Sequence, residues 1–468
     1  MLLGCVMLGM MSGGVAAGSE PAALFVEGYA GAVSVAQGEP VGLHVRVGAA
    51  ATFDVEVARL GAERVVVWKQ DKVPGAAHAV PEDASANGCG WPEAIKVPVG
   101  SDWKPGYYEV VLKAADAGGK WTGRGRRTAE GSAFFIVRAA KPGVGSKILL
   151  QLATNTYNAY NNWGGFSVYA YNSLNKNQGH KVSFQRPTAS QFSRWELPFV
   201  KWAEAAGYEL EYAANGDLES HPEMLVAYKL VLSVGHDEYW SAPMRDHLEA
   251  FIGRGGNVAF FSGNTCCWQV RMEDEGKAFT CWKQAFVQDP VFATGQHATL
   301  STLWGHHLVK RPENQLTGVG FLHGGYRNSH GQFMGEPAEF TVHRPGHWLL
   351  EGTGLKVGDR FGAKDTIVGY ECDGCELEWR EGLPFATGKD GTPATFEVLA
   401  TCPVRWHPDD AEWYERWEKG RTGNACLGVY TRGGTVMTAG TTDWAHGLSG
   451  GDAVVERVTR NVLDRLGK

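Results

Sequence analysis

Between residues 147 and 261 short apolar runs alternate with amphipathic stretches, and this alternation limits the fold more than any other feature of the chain. Lys147-Ile148-Leu149-Leu150-Gln151-Leu152-Ala153 reads as a buried strand. Phe199, Trp202, Ala203 and Ala206 then recur at helical spacing, and Gly207 stops that helix. Residues 208–212 and 229–234 predict strands. Residues 242–253 predict a second helix with Met244, Leu248, Phe251 and Ile252 on one side, and residues 257–261 a further strand. Strands separated by helices pair in parallel through right-handed crossovers. Residues 145–468 are therefore expected to form an α/β domain with a mainly parallel sheet. Beyond about residue 290, Gly-rich loops alternate with short strands such as 427–431 and 435–439, and residues 454–466 predict a closing amphipathic helix.

Residues 20–138 follow a different period. Val41-Gly42-Leu43-His44-Val45-Arg46-Val47 and Phe53-Asp54-Val55-Glu56-Val57 alternate apolar and polar positions, and the turn dipeptide Pro105-Gly106 precedes another such run. Short strands at regular spacing with Gly/Pro turns predict an all-β sandwich domain. Residues 139–145 read as a linker. The apolar residues 1–17, ending in Val15-Ala16-Ala17, read as a signal peptide. The expected location is then periplasmic or extracellular. Leu2-Leu3-Gly4-Cys5 also has the look of a lipobox, the lesser reading.

Leaving Cys5 aside, eight cysteines suit an oxidising compartment. Cys402 and Cys426 flank a charged insertion that a disulfide between them would staple. Cys372-Asp373-Gly374-Cys375 is a lone C-x-x-C, weak as a zinc signal. With 44 Lys and Arg against 51 Asp and Glu, the net charge of −7 gives no surplus to neutralise phosphates, which argues against a nucleic-acid partner. The Gly-interrupted cluster Arg124, Arg126 and Arg127 reads as a solvated loop. No internal segment has about 18 consecutive apolar residues, so no spanning helix is expected.

In parallel sheets ligands bind beyond the carboxyl ends of the strands. Three such ends are rich in polar groups: residues 156–169, 235–241 (Gly-His-Asp-Glu-Tyr-Trp-Ser) and 262–268 (Ser-Gly-Asn-Thr-Cys-Cys-Trp). If the strands are parallel, all three emerge on one edge. Continued strand geometry would aim His236 and Glu238 the same way. Carboxylates and phenolates are hard oxygen donors, and phenolates suit ferric iron.

The ordered set Tyr157-Asn158-Ala159-Tyr160-Asn161, Gly165-Phe166-Ser167-Val168-Tyr169, Gly235-His236-Asp237-Glu238-Tyr239-Trp240-Ser241 and Gly263-Asn264 resembles the C-terminal domain of the N,N-dimethylformamidase large-subunit family. The resemblance covers most of residues 145–468. It implies a fold similar to class I glutamine amidotransferases, and a mononuclear iron, expected as Fe3+, bound by Tyr160, Tyr169 and Glu238. It implies that His236 and Asn264 position substrate, that Lys283 lines the pocket, and that Glu371 is the general base. The implied activity is hydrolysis of small amides or related C–N bonds. A small partner subunit is also implied, and a homo-oligomer stays open. Only eight residues separate Tyr160 from Tyr169, where that family has a long stretch, so Tyr171 and Tyr157 are kept as substitutes for Tyr169.

Two other readings compete. Cys266 follows a strand and would serve as a nucleophile activated by His236. Alternatively the chain is a non-catalytic carbohydrate-binding or cell-surface protein. His306, His307 and His323 match no familiar ligand spacing, and Asp443 and His446 are read as packing beside the pocket.

Overall fold

The computed structural model describes residues 23–116, 127–327, 338–406, 414 and 421–468. The leader read at 1–17, Cys5, Arg124 and Arg126 lie outside the described residues. Arg127 pairs with Asp116 at 2.7 Å.

Strand Leu230–His236 has no exposed residue. Such a run has no solvent face and is stable only between two covering layers. It pairs in parallel with Ile148–Leu152 on one side and Asn257–Gly263 on the other. Glu211–Ala214 and Gly434–Thr438 extend the parallel set outward. Beyond Gly434–Thr438 the direction reverses. A hairpin through Gly433 (φ +85°) leads back into Thr422–Arg432, followed across the sheet by Glu397–Arg405, Gly320–Tyr326 and Glu371–Gly374, all antiparallel. A side chain at Gly433 would also collide with the Ile252 and Gly253 carbonyls, so glycine is required there twice over.

Alternation along the central strands divides the interior into two cores. Leu150, Leu232 and Phe261 face one, and Leu149, Val231 and Phe260 face the other. Each such fully buried side chain contributes about 1.5–3 kcal/mol. Helix Glu196–Ala205 covers the first core. It begins three residues before the predicted start, because the Glu196 side chain is held inside by Tyr157 and Ala153. Pro198 sits in the first turn, where its missing N–H costs nothing. Gly207, at φ +89°, ends the helix as expected. Helix Ala453–Leu466 closes the same face with Val455, Val458, Val462 and Leu466, and the Asp452 carboxylate caps it by accepting from Val454 and Val455 N–H. Helix Ala242–Gly253 covers the second core, and Ser241 caps its start.

The N-terminal residues form two further sheets. Phe25–Ala30, Val41–Gly48 and Glu93–Val97 make one. Ser34–Ala36, Thr128–Arg138, Gly106–Ala115, Thr52–Leu60 and Arg64–Pro74 make the other. Val26, Val45, Val57, Val110 and Phe135 meet in one apolar cluster between them. Tyr107 and Ile136 point outward into the first core of the large sheet, where Tyr107 stacks on Phe192 with ring centres 4.1 Å apart.

All eight described cysteines are free and buried. The expected Cys402–Cys426 staple is absent. Cys426 stands opposite Thr401 and Cys402 opposite Ala425, so the two thiols point to opposite faces, one into each core. Cys372 and Cys375 are split between the same two cores. Among the described residues, no helix is long and apolar enough to cross a membrane.

Candidate functional site

The carboxyl ends of the parallel strands bring the polar segments to one edge. Strand Ile148–Leu152 runs directly into helix Thr154–Tyr160, which places Tyr160 at the last turn. This helix lacks apolar spacing because its polar side chains are satisfied by tertiary partners. Asn155 Nδ2 donates to the Tyr239 carbonyl at 3.1 Å, and Tyr157 donates to Glu196. Arg186, fully buried, donates to Asn158 Oδ1 and to the carbonyls of Asn161, Trp163, Phe166 and Ser183. It thereby pins the loop that leads to Tyr169.

Strand Leu230–His236 ends on His236, with Glu238 two residues further. The intervening Asp237 faces away, held by Gln151, Ser233 and Asn215. His236 stands in register with Gly263. A Cβ at Gly263 would strike the Glu371 carbonyl and the Thr442 N–H, so glycine lets strand Glu371–Gly374 close over this edge. Asn264, Cys266 and Lys283 all carry positive φ, at +50°, +55° and +53°. Non-glycine residues held there cost about 1–3 kcal/mol each and collect at functional sites.

At the centre, Tyr160 Oη lies 2.7 Å from Tyr169 Oη and 3.0 Å from Glu238 Oε2. Tyr169 Oη lies 2.9 and 3.1 Å from the two Glu238 oxygens. Trp268 Nε1 donates to Glu238 Oε1 at 2.7 Å, and Tyr239 Oη donates to Tyr169 Oη at 2.6 Å. His236 Nε2 lies 2.8 Å from Glu371 Oε2 and 3.2 Å from Glu238 Oε2. Lys283 Nζ sits 3.2 Å from the centre of the Tyr169 ring. Glu238 is 0% exposed, and His236 and Lys283 each 2%.

Burial governs the charges. It opposes ionisation of Glu238, but the His236 hydrogen bond and charge, the Lys283 ammonium and the Tyr169 hydroxyl together hold that carboxyl below its usual range. Burial alone would depress His236, but Glu371 and Glu238 push it up to about 10. Burial brings Lys283 down to about 8 despite Glu238. Tyr160 and Tyr169 are pushed well above the ordinary phenol value, first by burial and then by the Glu238 charge.

Two phenol oxygens crowded against one carboxylate make an acceptor-rich pocket. Beside it, His236 Nε2, Glu371 Oε2 and both amide atoms of Asn264 are buried without a well-directed hydrogen bond. Among the described residues, no group of three or more His, Cys, Asp and Glu side chains has the arrangement of a metal site. Any cation here would therefore draw on the phenols. The donor set Tyr160, Tyr169 and Glu238 fits a hard ion of high charge, whose field would lower the phenol pKa values that Glu238 raises.

Residues 54–458 match the family described as N,N-dimethylformamidase beta subunit-like, C-terminal. The chain belongs to this family. It is 32% identical over 304 residues to the N,N-dimethylformamidase beta subunit of Alcaligenes sp, covering 58% of this chain and 37% of that protein. It is 24% identical over 306 residues to the beta subunit of the same name from Paracoccus aminophilus, covering 59% and 37%. The alignments thus span just over a third of each relative's length. The dimethylformamidase-like match begins at residue 54, inside the N-terminal sheets and well before the motifs at 157–264.

Within this dimethylformamidase-like chain the site residues expected from the sequence mostly come together. Tyr160, Tyr169, Glu238, His236, Glu371 and Lys283 form one contact network. Asn264 follows Gly263 at its edge, its backbone N–H donating to Asp373 Oδ1 at 3.0 Å. The two substitutes for Tyr169 stand outside the oxygen cluster. Tyr157 is bonded to Glu196, and Tyr171 is 70% exposed with its ring 5.4 Å from that of Tyr169. Cys266 packs among apolar residues of the second core, burial pushes its thiol well up, and His236 engages carboxylates instead. His306 packs on Phe286 and His307, and His323 pairs with Asp390 at 3.8 Å. Asp443 accepts from Tyr370 N–H, and His446 stacks on Trp195. Sequence reasoning missed Tyr239 and Trp268, although each lies in a motif already singled out. It also missed Trp195, Arg194 and Tyr370, which with Tyr160, Tyr171 and His236 wall a cavity of about 340 Å³.

Proposed function

We propose that this protein hydrolyses small amides, or related C–N bonds, at a mononuclear iron held by Tyr160, Tyr169 and Glu238. Bound ferric iron would polarise a carbonyl and acidify water. The chain's own residues supply the rest. Glu371 takes the proton of the attacking water, and His236, between Glu371 and Glu238, carries a proton toward the departing nitrogen. The C–N bond breaks, a C–O bond forms, and acid and amine leave. Asn264, with both amide atoms unpaired, orients the substrate, and Trp268 fixes the Glu238 carboxylate through its N–H. Membership of the dimethylformamidase family supports amide hydrolysis. The relatives' designation as beta subunits supports a partner subunit. The parallel half of the large sheet is compatible with a fold of the glutamine amidotransferase kind.

The observation that carries the reading is the meeting of two phenol oxygens and one carboxylate within about hydrogen-bond distance. Elemental analysis and a visible spectrum of freshly purified protein test it. The expected result is iron near one equivalent, with a tyrosinate-to-iron absorption band that Glu238→Gln abolishes. Protein that contains no iron, and that takes up none on anaerobic reconstitution, would sink the proposal.

A further inference from the structure

The cavity at the candidate centre is larger than a minimal amide needs, at about 340 Å³, and one of its walls is cationic. The Arg194 guanidinium lies 4.3 Å from the centre of the Trp195 ring and 5.6 Å from that of Tyr370. Tyr370 also meets His236 edge to face, with ring centres 5.8 Å apart. Trp195 packs edge-on against the same imidazole at 6.1 Å. Arg194 and His236 thus contact the same two rings and line one cavity.

Arg194 is exposed, and among the described residues no carboxylate forms an ion pair with it. Asp443 feels its charge without forming an ion pair with it. One of its oxygens accepts from Tyr370 N–H at 2.6 Å, and the other lies 3.7 Å from His446 Nδ1. Glu238 and Glu371 are taken up by the groups of the centre. The guanidinium therefore lies over two aromatic rings with no carboxylate paired to it among the described residues. A planar fork of donors fixed by stacking is suited to a carboxylate, which it binds through two parallel hydrogen bonds. Ser190, Gln191 and Ser193, on the same loop, add polar groups at that end of the cavity.

We infer that Arg194 is the seat for a carboxylate and that the substrates of this site are N-acylated amino acids or similar amides bearing an acid a few bonds from the scissile C–N bond. The inference rests on the hydrolytic reading given above. The carbonyl end lies against His236 and Tyr160, the chain passes along Tyr370 and Trp195, and the carboxylate meets the guanidinium. For N-formylglycine, water adds its oxygen to the formyl carbon, the C–N bond breaks, and the nitrogen takes a proton, giving formate and glycine. Arg194 is a specificity residue in this arrangement, remote from the reacting atoms.

Calorimetric titration with N-acetylglycine and its neutral counterpart N-acetylglycinamide tests the seat without requiring turnover. The acid should bind at least about tenfold more tightly, Arg194→Gln should erase the difference, and Arg194→Lys should keep part of it. In turnover, the ratio of kcat/KM for N-formylglycine to that for its methyl ester should fall by a similar factor in Arg194→Gln. Equal binding of acid and amide by the unaltered protein overturns the inference, as does a preference for the acid that survives Arg194→Gln. Iron content and turnover of the same samples separate this from the reading beneath it. Protein with iron and activity but no acid preference refutes the carboxylate seat alone. Protein lacking both, yet still showing an Arg194-dependent preference, refutes the hydrolytic reading alone.

Discussion

The Lys283 ammonium lies over the face of the Tyr169 ring, 3.2 Å from its centre, while also facing the Trp268 ring at 4.6 Å. A buried cation over an aromatic face is worth about 2 kcal/mol when desolvated. Here it also balances the Glu238 carboxylate. Lys283→Met keeps the length and apolar stem of the side chain and removes the charge. The expected outcome is iron retained near the original stoichiometry, a shifted tyrosinate absorption band, and kcat reduced by about tenfold or more. An unmoved band with unchanged kcat would make Lys283 a packing residue.

Glu371 meets the centre at His236, 2.8 Å away, accepts from Tyr326 Oη at 3.4 Å, and has no hydrogen bond with either proposed phenol ligand. Glu371→Gln should therefore leave iron binding intact and lower kcat by about 10²- to 10⁴-fold, the range for loss of a general base. Paired measurements of metal content and turnover check this. Loss of iron together with activity would place Glu371 among the ligands instead.

Much of this site is legible in the sequence. Tyr160, His236 and Glu238 follow apolar runs whose length and spacing mark buried parallel strands, so their position at one edge follows from topology alone. Tyr169 is less legible, because what holds its loop is Arg186, whose hydrogen bonds to Asn158 Oδ1 and to the Asn161, Trp163 and Phe166 carbonyls leave no local pattern. The helix Thr154–Tyr160 shows no helical pattern in the sequence for a related reason: its polar side chains bond to Tyr239, Glu196 and Arg186. The Cys402–Cys426 bridge failed on register, since neighbouring ladder positions face opposite cores. Arg194 has no motif at all, and its role emerges only from the two rings it stacks on.

Glu196 gives the fold a pH dependence of definite sign. Burial lifts its carboxyl to about 7, against the opposing hydrogen bonds from the Tyr157 hydroxyl and the Ala153 N–H. Below the ordinary carboxylate value the group is protonated in both folded and unfolded chains. As pH rises toward 7 the unfolded chain releases the proton while the folded one retains it, so stability falls across that window and stays lower above it. Glu196→Gln has no proton to release and should flatten the profile, by at most about 3 kcal/mol between pH 4.5 and 8. Urea denaturation of both proteins at pH 5 and pH 8 measures it. Parallel profiles would mean that Glu196 ionises freely in the native state.

Glu371 rides on a strand of the antiparallel half of the large sheet, whereas His236 and Glu238 belong to the parallel half. The proton-handling pair is thus a joint between two separately braced plates, coupled through the ladder that matches Gly428, Val429 and Tyr430 with Thr438, Met437 and Val436. The twist along that ladder sets the gap between imidazole and carboxylate, whereas Tyr160 and Glu238 both follow strands of the parallel half. Variation at remote sheet positions can in this way retune how fast the centre works while leaving what it binds untouched.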